Sequence, residues 1–453
     1  PMTPAIPQHT LGFLAQRPRV LDFDAPNVST DGGAIQQRQV DARLGVTRWF
    51  SESLSDHRDS TRVRHDRWEQ SRQRIYQIAL GYEDCNDSAT LRHDPVLKTV
   101  CGRTPNDEEG LSSQPTLSRF ENSGDWLTIR RLMRSFEKNY VASLPADTTE
   151  VILDIDSTDD ETHGAQQLSF FHGYYDHWMY HPLLVFDGTS GQLITAKLRP
   201  GNTHASRGAA VTLGRLIRPI KQRFPSVHIL VRGDSGFCVP QILEVLESLD
   251  STYGDVDYLL GIARNKVLVR NTETAMEQAR EMYGASRHTV KHFTEFQYAA
   301  GSWSHPRLVI AKAEYGGLGP NPRFVITSLS GFPPELIYRA YCERGQCENL
   351  IKDLKNALMA DRLSCSAFKA NFFRLLLHCA AYRLMHELRL QAAHHSDELG
   401  RAQFDTLRLR ILKVAALVRQ SIRRIHVRLP RSFPFARVYR LISSALDPPA
   451  TPA

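Results

Sequence analysis

The sequence predicts an α/β protein in which a helical N-terminal region precedes a mixed β-sheet. From about residue 33 to 145, short polar helical patterns alternate with turn residues, whereas β-rich runs begin at about residue 148. Three strand-like runs then follow one another, after which helix, strand, helix and strand alternate. This order is typical of a layered α/β fold with a mixed sheet.

The core elements are predicted from runs rich in β-branched and aromatic residues, separated by helical patterns and turns. In chain order they are strands at 149–156, 181–188 and 192–201, a helix at about 206–223, a strand at 227–237, a helix at 240–249 that opens with Pro, and a strand at 256–263. After a helix at 266–283, strands of a small antiparallel sheet are predicted between 287 and 330. A long apolar helix follows at 367–392, so the β-rich stretch splits the core as an inserted subdomain would.

The size and charge of the chain narrow its class. With 453 residues it can form two or three domains, and 56 Lys and Arg against 49 Asp and Glu give a net charge of +7. This balance favours a polyanionic partner such as DNA. Residues 401–440 hold eleven Arg or Lys and one acid, so the basic charge is concentrated near the C-terminus.

The cysteines and the apolar runs indicate the compartment. The seven cysteines form no C-x-x-C pair and their number is odd, which predicts reduced thiols rather than disulfides or a zinc module. No apolar run reaches the length that spans a membrane. We therefore expect a soluble cytoplasmic protein with no membrane partner, associated with the nucleoid when it is bound to DNA.

The segment YCERGQCENLIKDLK (341–355) reads as one helix with an ordered row of polar side chains. At about 100° per residue, Tyr341, Arg344, Glu348 and Lys355 project within a stripe about 60° wide. Leu350, Ile351, Leu354 and Leu358 form a neighbouring apolar stripe. A solvated helix face with i,i+4 pairs would give the same pattern, so the segment alone does not decide its role.

Carboxylates at predicted strand ends give this helix a chemical context. Asp154 and Asp156 lie two residues apart on the first strand and therefore point to the same face, and Asp234 ends the fourth strand. With Glu348 on a later helix, three separated acids can converge to hold Mg²⁺ or Mn²⁺, which prefer oxygen ligands. An acid on the first strand, another on the fourth and a third on a helix after an insertion is the layout of ribonuclease H-like nucleases.

Taken together, these motifs resemble those of the DDE transposases of bacterial insertion sequences, in the cut-and-paste superfamily with a Y-x2-R-x3-E-x6-K signature. Tyr341, Arg344, Glu348 and Lys355 match that spacing in full. DIDSTDD (154–160) resembles the first acid motif and VRGDSGF (231–237) the second. HGYYDHWMYHPLLVFDG, LRPGNTHAS and SQPTLSRFEN also resemble one subgroup, so that the likeness covers roughly residues 30 to 430.

The resemblance implies both the reaction and the roles of the residues. It implies hydrolysis at the transposon ends and strand transfer into target DNA, with Asp156, Asp234 and Glu348 as catalytic residues and ligands of two Mg²⁺ ions, for which Mn²⁺ can substitute. Hydroxyl residues follow Asp156, which favours it over Asp154 as the first ligand. The resemblance further implies that Tyr341, Arg344 and Lys355 bind DNA phosphates. It suggests Trp303, in the insertion, for stacking on a flipped base, although a tryptophan in the core of the sheet would look the same.

The implied architecture is a ribonuclease H-like core interrupted by a β-rich insertion, with a helical N-terminal domain. The predicted regions are 1–147, helical and DNA-binding; 148–265, first part of the core; 266–332, insertion; 333–392, second part of the core; and 393–453, basic C-terminal region. The expected partners are the terminal inverted repeats of the protein's own element, target DNA and a second copy in a homodimer assembled on DNA. The N-terminal helices could equally form a plain helical cap.

Two other functions fit parts of this pattern. A structure-specific DNA nuclease on the same fold would share the acids without joining DNA ends. An inactive element retained as a DNA-binding protein would keep the basic charge, but the intact set of three acids argues against it. Hydrolysis of sugars by a carboxylate pair is disfavoured, because the Arg and Lys of the signature suit phosphate better.

Overall fold

A computed structural model of the chain describes residues 9–11, 19–21 and 24–447. Within these ranges no helix has both the length and the apolar character that crossing a membrane requires. All seven cysteines lie in the described part and are free thiols. The predicted outer regions 1–147 and 393–453 include some residues that lie outside the described ranges.

The secondary structure alternates between helical and β-rich parts of the chain. The helices are α1 Ala34–Leu44, α2 Val46–Glu52, α3 Arg67–Ala79, α4 Ser88–Leu91, α5 Pro95–Cys101, α6 Gln114–Asn122, α7 Trp126–Ser143, α8 Ala209–Arg223, α9 Pro240–Tyr253, α10 Lys266–Arg270, α11 Glu273–Ser286, α12 Pro334–Cys342, α13 Gln346–Lys352, α14 Phe368–Ala393, α15 Asp397–Gly400, α16 Phe404–Leu407 and α17 Ala436–Leu446. The strands are β1 His9–Leu11, β2 Arg19–Leu21, β3 Val28–Ser29, β4 Glu150–Ser157, β5 Asp160–Glu161, β6 Phe170–His172, β7 His177–Tyr180, β8 Leu183–Asp187, β9 Leu193–Lys197, β10 His228–Gly233, β11 Val256–Ile262, β12 Val290–Tyr298, β13 Arg307–Gly316, β14 Gly319–Pro320, β15 Arg323–Thr327, β16 Ala416–Gln420 and β17 Ile425–Arg428.

A large mixed sheet forms the centre of the molecule, which confirms the predicted α/β class. Its strand order is β12-β13-β15-β11-β10-β4-β8-β9, with β14 paired to β13. Strand β10 runs parallel to both β4 and β11, and the other pairings are antiparallel. The five strands predicted for the core, β4, β8, β9, β10 and β11, are all present.

The alternation of residues in β4 explains the two faces of this sheet. Val151, Leu153 and Ile155 project to one face, where they are buried in a core that includes residues of α8 and α9. Each such side chain stabilises the fold by about 1.5–3 kcal/mol when fully buried. Asp154 and Asp156 project to the other face. The strand therefore buries one row of apolar side chains and presents a row of carboxylates on the opposite side.

The β-rich stretch predicted as a small separate sheet extends the central sheet instead. Strand β15 pairs with β11, with Leu260 opposite Ile326, and β13 and β12 follow outward. The helix predicted at 266–283 is divided into α10 and α11 at Asn271 and Thr272. The boundaries predicted for the insertion and the core remain predictions.

The N-terminal helices share one apolar core with the C-terminal part of the chain. Helix α14 packs against α1, α2, α3, α6 and α7, and its buried residues lie on all sides, as expected for a central helix. Strand β16 pairs with β17 and with β3, so the basic C-terminal region includes a short sheet that an N-terminal strand completes. The helices predicted between residues 33 and 145 are therefore present, but they are not packed as a separate unit.

Candidate active site

Asp156 and Asp234 lie at the same edge of the central sheet. Asp156 is the penultimate residue of β4, and Asp234 directly follows β10. The parallel register pairs Ile155 with Gly233, which makes the two aspartates neighbours on adjacent strands. The carboxyl ends of parallel strands are where α/β folds gather functional side chains. The structure thus brings together two of the three acids predicted from the sequence.

The Asp156 carboxylate is buried but keeps part of its bonding capacity. Only 8% of the residue is exposed. Its Oδ1 accepts a hydrogen bond from the Ser157 N–H at 2.8 Å, and its Oδ2 accepts one from Arg344 Nη1 at 3.1 Å. Burial raises the pKa of Asp156 to about 6; the Arg344 guanidinium opposes this rise, and the nearby Asp234 adds to it. Two acids that repel each other in this way form a site that favours a cation.

Asp234 is held by the turn that follows it. Its carboxylate accepts a hydrogen bond from the Gly236 N–H at 2.9 Å and caps a short 3-10 turn. A cavity of about 330 Å³ opens beside Asp234 and is lined by Tyr341, Arg264 and Arg323 among others. Burial raises the pKa of Tyr341, and the charge of Asp234 contributes to the rise. A tyrosine and two arginines therefore line the space next to the second acid.

The signature segment is helical, as predicted, but not one regular helix. Helix α12 continues through a 3-10 turn at Glu343–Gly345 into α13, and a π turn follows at Asp353–Ala357. The predicted apolar stripe packs inward, with Leu354 and Leu358 buried and Leu350 and Ile351 partly buried against the same core. The 3-10 and π turns change the rotation per residue, so the polar stripe is less straight than a uniform helix predicts.

Arg344 and Lys355 both reach the chain around the end of β4. Lys355 Nζ donates to Asp159 Oδ1 at 2.8 Å and to the Asp159 carbonyl at 2.7 Å. Burial opposes ionisation of Asp159, but the bond and the charge of Lys355 outweigh it and lower the pKa of Asp159. His177 Nε2 lies 3.4 Å from the other oxygen of Asp159. The sequence reasoning did not identify this partner of Lys355, although Asp159 stands within the quoted motif DIDSTDD.

Glu348 does not join the two aspartates in this structure. The residue is exposed, and the described residues include no hydrogen-bond or ion-pair partner for its side chain. Between residues 24 and 447 no group of three or more His, Cys, Asp or Glu side chains is arranged to hold a metal ion. The sheet register brings Asp156 and Asp234 together, whereas the position of Glu348 depends on how its helix and side chain are turned.

Asp154, the alternative first ligand, forms an ion pair in which both of its carboxylate oxygens accept hydrogen bonds. Arg232 donates from Nε and Nη2 to its two oxygens at 2.7 and 2.8 Å, and both side chains are 2% exposed. Such a two-pronged ion pair satisfies the guanidinium and both carboxylate oxygens. The sequence did not point to Arg232, although it stands two residues before Asp234 in VRGDSGF.

Trp303 packs within the protein. Its ring lies 5.4 Å from that of Tyr298 in a T-shaped arrangement, and the Arg307 guanidinium lies 5.3 Å from its centre. The side chain is half-buried at the border of the core that contains Phe237. Trp303 lies in the loop between β12 and β13, so these contacts fit a side chain that packs at the edge of the sheet, and a role in base stacking remains a prediction.

The sequence as a whole matches one known family. A family profile described as "Transposase DDE domain group 1" matches residues 13–450 of the chain. The chain belongs to this DDE transposase family. No curated protein matches it significantly in sequence. Among solved structures, the transposase is similar to the piggyBac transposase in a synaptic complex with hairpin DNA, with 11% identity and a TM-score of 0.43 over 93% of this chain and 86% of that one.

Membership in the family confirms the predicted class of enzyme. The protein is a transposase that cleaves DNA in DNA recombination, and enzymes of this family use divalent metal ions. The paired carboxylates of Asp156 and Asp234 fit such an ion, because they offer hard oxygen ligands and because burial and the nearby charge of Asp234 disfavour the charged form of Asp156 without a cation. In this structure the Arg344 guanidinium supplies positive charge at Asp156.

Proposed function

We propose that Asp156, Asp234 and Glu348 are the metal ligands and catalytic residues of this transposase, and that two Mg²⁺ ions, replaceable by Mn²⁺, serve as cofactors. Two such ions activate an attacking oxygen and stabilise the leaving oxygen in phosphoryl transfer. The observation that carries the proposal is the adjacency of Asp156 and Asp234 at one sheet edge, with Arg344 bonded to the first of them.

Glu348 is the third ligand in this proposal because of its place in the signature segment. It lies four residues after Arg344, on the helical segment that already contacts Asp156. Its side chain is exposed and makes no ion pair with the described residues, so little has to be broken when it turns toward a cation. We expect it to complete the site when metal and DNA bind.

Tyr341, Arg344 and Lys355 contact phosphates of the bound DNA in this proposal. Arg344 is paired with Asp156 and Lys355 with Asp159 in the structure. A DNA phosphate would offer both cations charge-assisted hydrogen bonds in place of these carboxylates. Tyr341 lines the cavity beside Asp234. The three side chains would hold the strand next to the bond that is cut, while the acids hold the cations.

The proposed reaction is excision of the element at its terminal inverted repeats, followed by joining to target DNA. Because two ends must be cut together, we propose a homodimer that assembles on DNA. A ribonuclease H-like core interrupted by the β-rich stretch is the proposed fold of the catalytic part, and the N-terminal helices and the basic C-terminal region are proposed to bind the ends. The enzyme would act in the cytoplasm, on the nucleoid, where its substrate lies.

The test uses the full chain with duplexes that carry the inverted repeats flanking its own coding region, plus Mg²⁺ or Mn²⁺ and a circular target. The wild type is expected to cut the ends and to join them to the target. The variants Asp156→Ala, Asp234→Ala and Glu348→Ala should bind the ends but not cut them. Normal cutting by any of the three would remove that residue from the set, and cutting without joining would replace transposition by nuclease activity.

A further inference from the structure

The start of α8 combines several positive charges with few negative ones. Lys197, at the end of β9, lies against Gly208: a Cβ built on Gly208 would be 2.8 Å from Lys197 Nζ. Arg199, Arg207 and Arg215 all lie close enough to affect the Lys197 ammonium, which also loses hydration through burial. Arg215 is neutralised by Glu137 at 2.5 and 2.8 Å. Within residues 24–447 the other three cations have no acidic partner.

Arg199 is the most unusual of these cations because it is buried without an acid. The residue is 3% exposed. Its Nε donates to the His181 carbonyl at 2.7 Å, and its Nη1 donates to the carbonyls of Ala205 at 2.6 Å and Arg207 at 3.1 Å. Nη2 is buried and has no hydrogen-bond partner among the described residues. A buried guanidinium thus sits inside the turn before α8 with one donor nitrogen unused.

The helix itself adds to the positive potential. Helix α8 has 15 residues, begins after Gly208 with φ at 83°, and has neither a side-chain cap nor an acid in its first turn. The N–H groups of Ala210 and Val211 have no backbone acceptor within the described chain. Free N–H groups and the helix dipole at such an end favour an anion, and phosphate is one of the anions that helix N-termini bind.

This end of α8 adjoins the candidate active site. A Cβ built on Gly236 would lie 3.0 Å from the Cβ of Ala205 and 3.1 Å from Asp234 Oδ1. The turn at 203–206, which Arg199 organises, therefore packs against the turn that holds the second catalytic acid. A DNA strand that passes Asp234 would have a neighbouring phosphate within reach of this positive site.

We propose that the start of α8 binds a backbone phosphate of the DNA, through Lys197, Arg207 and the N–H groups of Ala210 and Val211, with Arg199 fixing the turn. The inference rests on the proposed function, since it takes Asp234 as part of the active site. The ligand is a phosphodiester of either the element end or the target DNA. Its phosphate offsets the repulsion among cations that the protein alone leaves uncompensated.

The first test compares Lys197→Gln and Arg207→Gln with a control, Arg218→Gln, which removes an exposed arginine from the same helix. Binding is measured over a range of salt concentrations, in one arm with the element-end duplex and in the other with an unrelated target duplex. The Lys197→Gln and Arg207→Gln double variant should bind one of the two DNAs about tenfold more weakly, with a salt slope smaller by about one to two units, whereas Arg218→Gln should change little. Methylphosphonate placed at single positions of that DNA should weaken the wild type at one phosphate and leave the double variant insensitive there.

A second measurement separates this inference from the proposed function. Sulfate at constant ionic strength should raise the Tm of the wild type more than that of the double variant, and this needs neither DNA nor cleavage. If the wild type neither binds nor cuts end DNA, the proposed function is overturned. The sulfate measurement would still test the α8 phosphate site, because it needs no DNA. If the double variant matches Arg218→Gln in salt slope, methylphosphonate profile and sulfate response, the α8 phosphate site is wrong.

Discussion

Asp154 and Asp156 lie two residues apart on β4, and each is paired with an arginine. The two pairs differ in how much hydrogen-bonding capacity they leave on the carboxylate. Asp154 meets Arg232 through two hydrogen bonds of 2.7 and 2.8 Å, and both side chains are 2% exposed. Asp156 meets Arg344 through one contact of 3.1 Å, with 12% and 14% of the side chains exposed. Arg232 also donates to the Ala340 carbonyl at 2.9 Å, which fixes α12 to the sheet.

The difference shows that burial and charge alone do not mark a functional acid. Both aspartates are buried, and both face a guanidinium from another part of the chain. The first pair uses the two carboxylate oxygens fully and so holds the structure together. The second keeps free bonding capacity and has Asp234 beside it, and this is the arrangement that suits a metal ion.

The largest effect is expected from removing the charge of either aspartate at the candidate metal site. Asp156→Asn and Asp234→Asn should each reduce cleavage of end DNA by about three orders of magnitude or more, because in the proposed function these acids hold metal ions that would supply several kcal/mol of transition-state stabilisation. Cleavage is measured with end-labelled duplexes in Mg²⁺. The Tm of both variants should stay close to that of the wild type. Asp154→Asn, which changes the same chemical group two residues away, provides the contrast, since its loss should appear in stability.

The first pair should matter for folding rather than for chemistry. Arg232→Met leaves Asp154 buried without a partner and should lower the free energy of unfolding by about 3–5 kcal/mol. Arg344→Met removes a single contact to Asp156 and should cost less, about 1–2 kcal/mol. Urea unfolding of the two variants measures both values. Replacing the whole first pair by Asp154→Leu with Arg232→Met should recover much of the loss, and equal destabilisation by both single variants would erase the distinction.

The sequence predicted the fold where the signal is local. The alternation in β4 and the apolar runs of the other core strands depend on neighbouring residues only. The pairing of β15 with β11 and of β16 with β3 joins distant segments, and β3 lies at Val28–Ser29 while β16 begins at Ala416. No local pattern records such pairing. Residues 401–440 were therefore characterised by their charge, and the strands β16 and β17 were not predicted.

The candidate site, like the fold, was predictable where it depends on local patterns and not where it depends on contacts between distant segments. Two acids at strand ends follow from the strand pattern, whereas the choice of Asp156 over Asp154 needed the hydroxyl residues and the family resemblance. What distinguishes the two aspartates physically is Arg232, which pairs with Asp154. Because Arg232 lies 78 residues away along the chain, no local pattern shows this pairing. The prediction that the signature residues form one straight row assumed a rotation of about 100° per residue throughout the segment. The 3-10 turn at Glu343–Gly345 advances by about 120° per residue, which the sequence does not reveal.

A smaller effect tests whether Arg344 occupies the place of a cation. Arg344→Gln frees Oδ2 of Asp156, so Mn²⁺ should bind the DNA-free enzyme about two- to fivefold more tightly, as expected when a partly exposed ion pair no longer competes. Binding to end DNA should weaken at the same time, because a phosphate contact is lost. Calorimetry with Mn²⁺ and fluorescence anisotropy with DNA measure the two changes. Arg339→Gln, an exposed change on α12, is the control, and weaker Mn²⁺ binding by Arg344→Gln would contradict the competition.

The smallest effect is expected at the opposite end of the same strands, where we expect a third charged contact to stabilise the fold without taking part in the chemistry. His228, the first residue of β10, lies 2.9 Å from Asp257 on β11 and 3.4 Å from Glu150 on β4. The hydrogen bond to Asp257 raises the pKa of His228 above its usual value near 6.5, burial opposes this, and Glu150 adds to it. A raised pKa in the folded state means that the contact stabilises fully below pH 6.5 and loses its effect as the pH rises through the folded value. Because the imidazole is partly exposed, the contribution should be less than about 1 kcal/mol.

Urea unfolding of the wild type and His228→Gln at pH 5.5 and 8.5 tests this contact. The difference in free energy of unfolding between the two proteins should be larger at pH 5.5, and cleavage at pH 8.5 should be unchanged. A difference that grows with pH would mean that the neutral imidazole is the stabilising form, and a loss of cleavage would mean that this end of the strands is not separate from the active site.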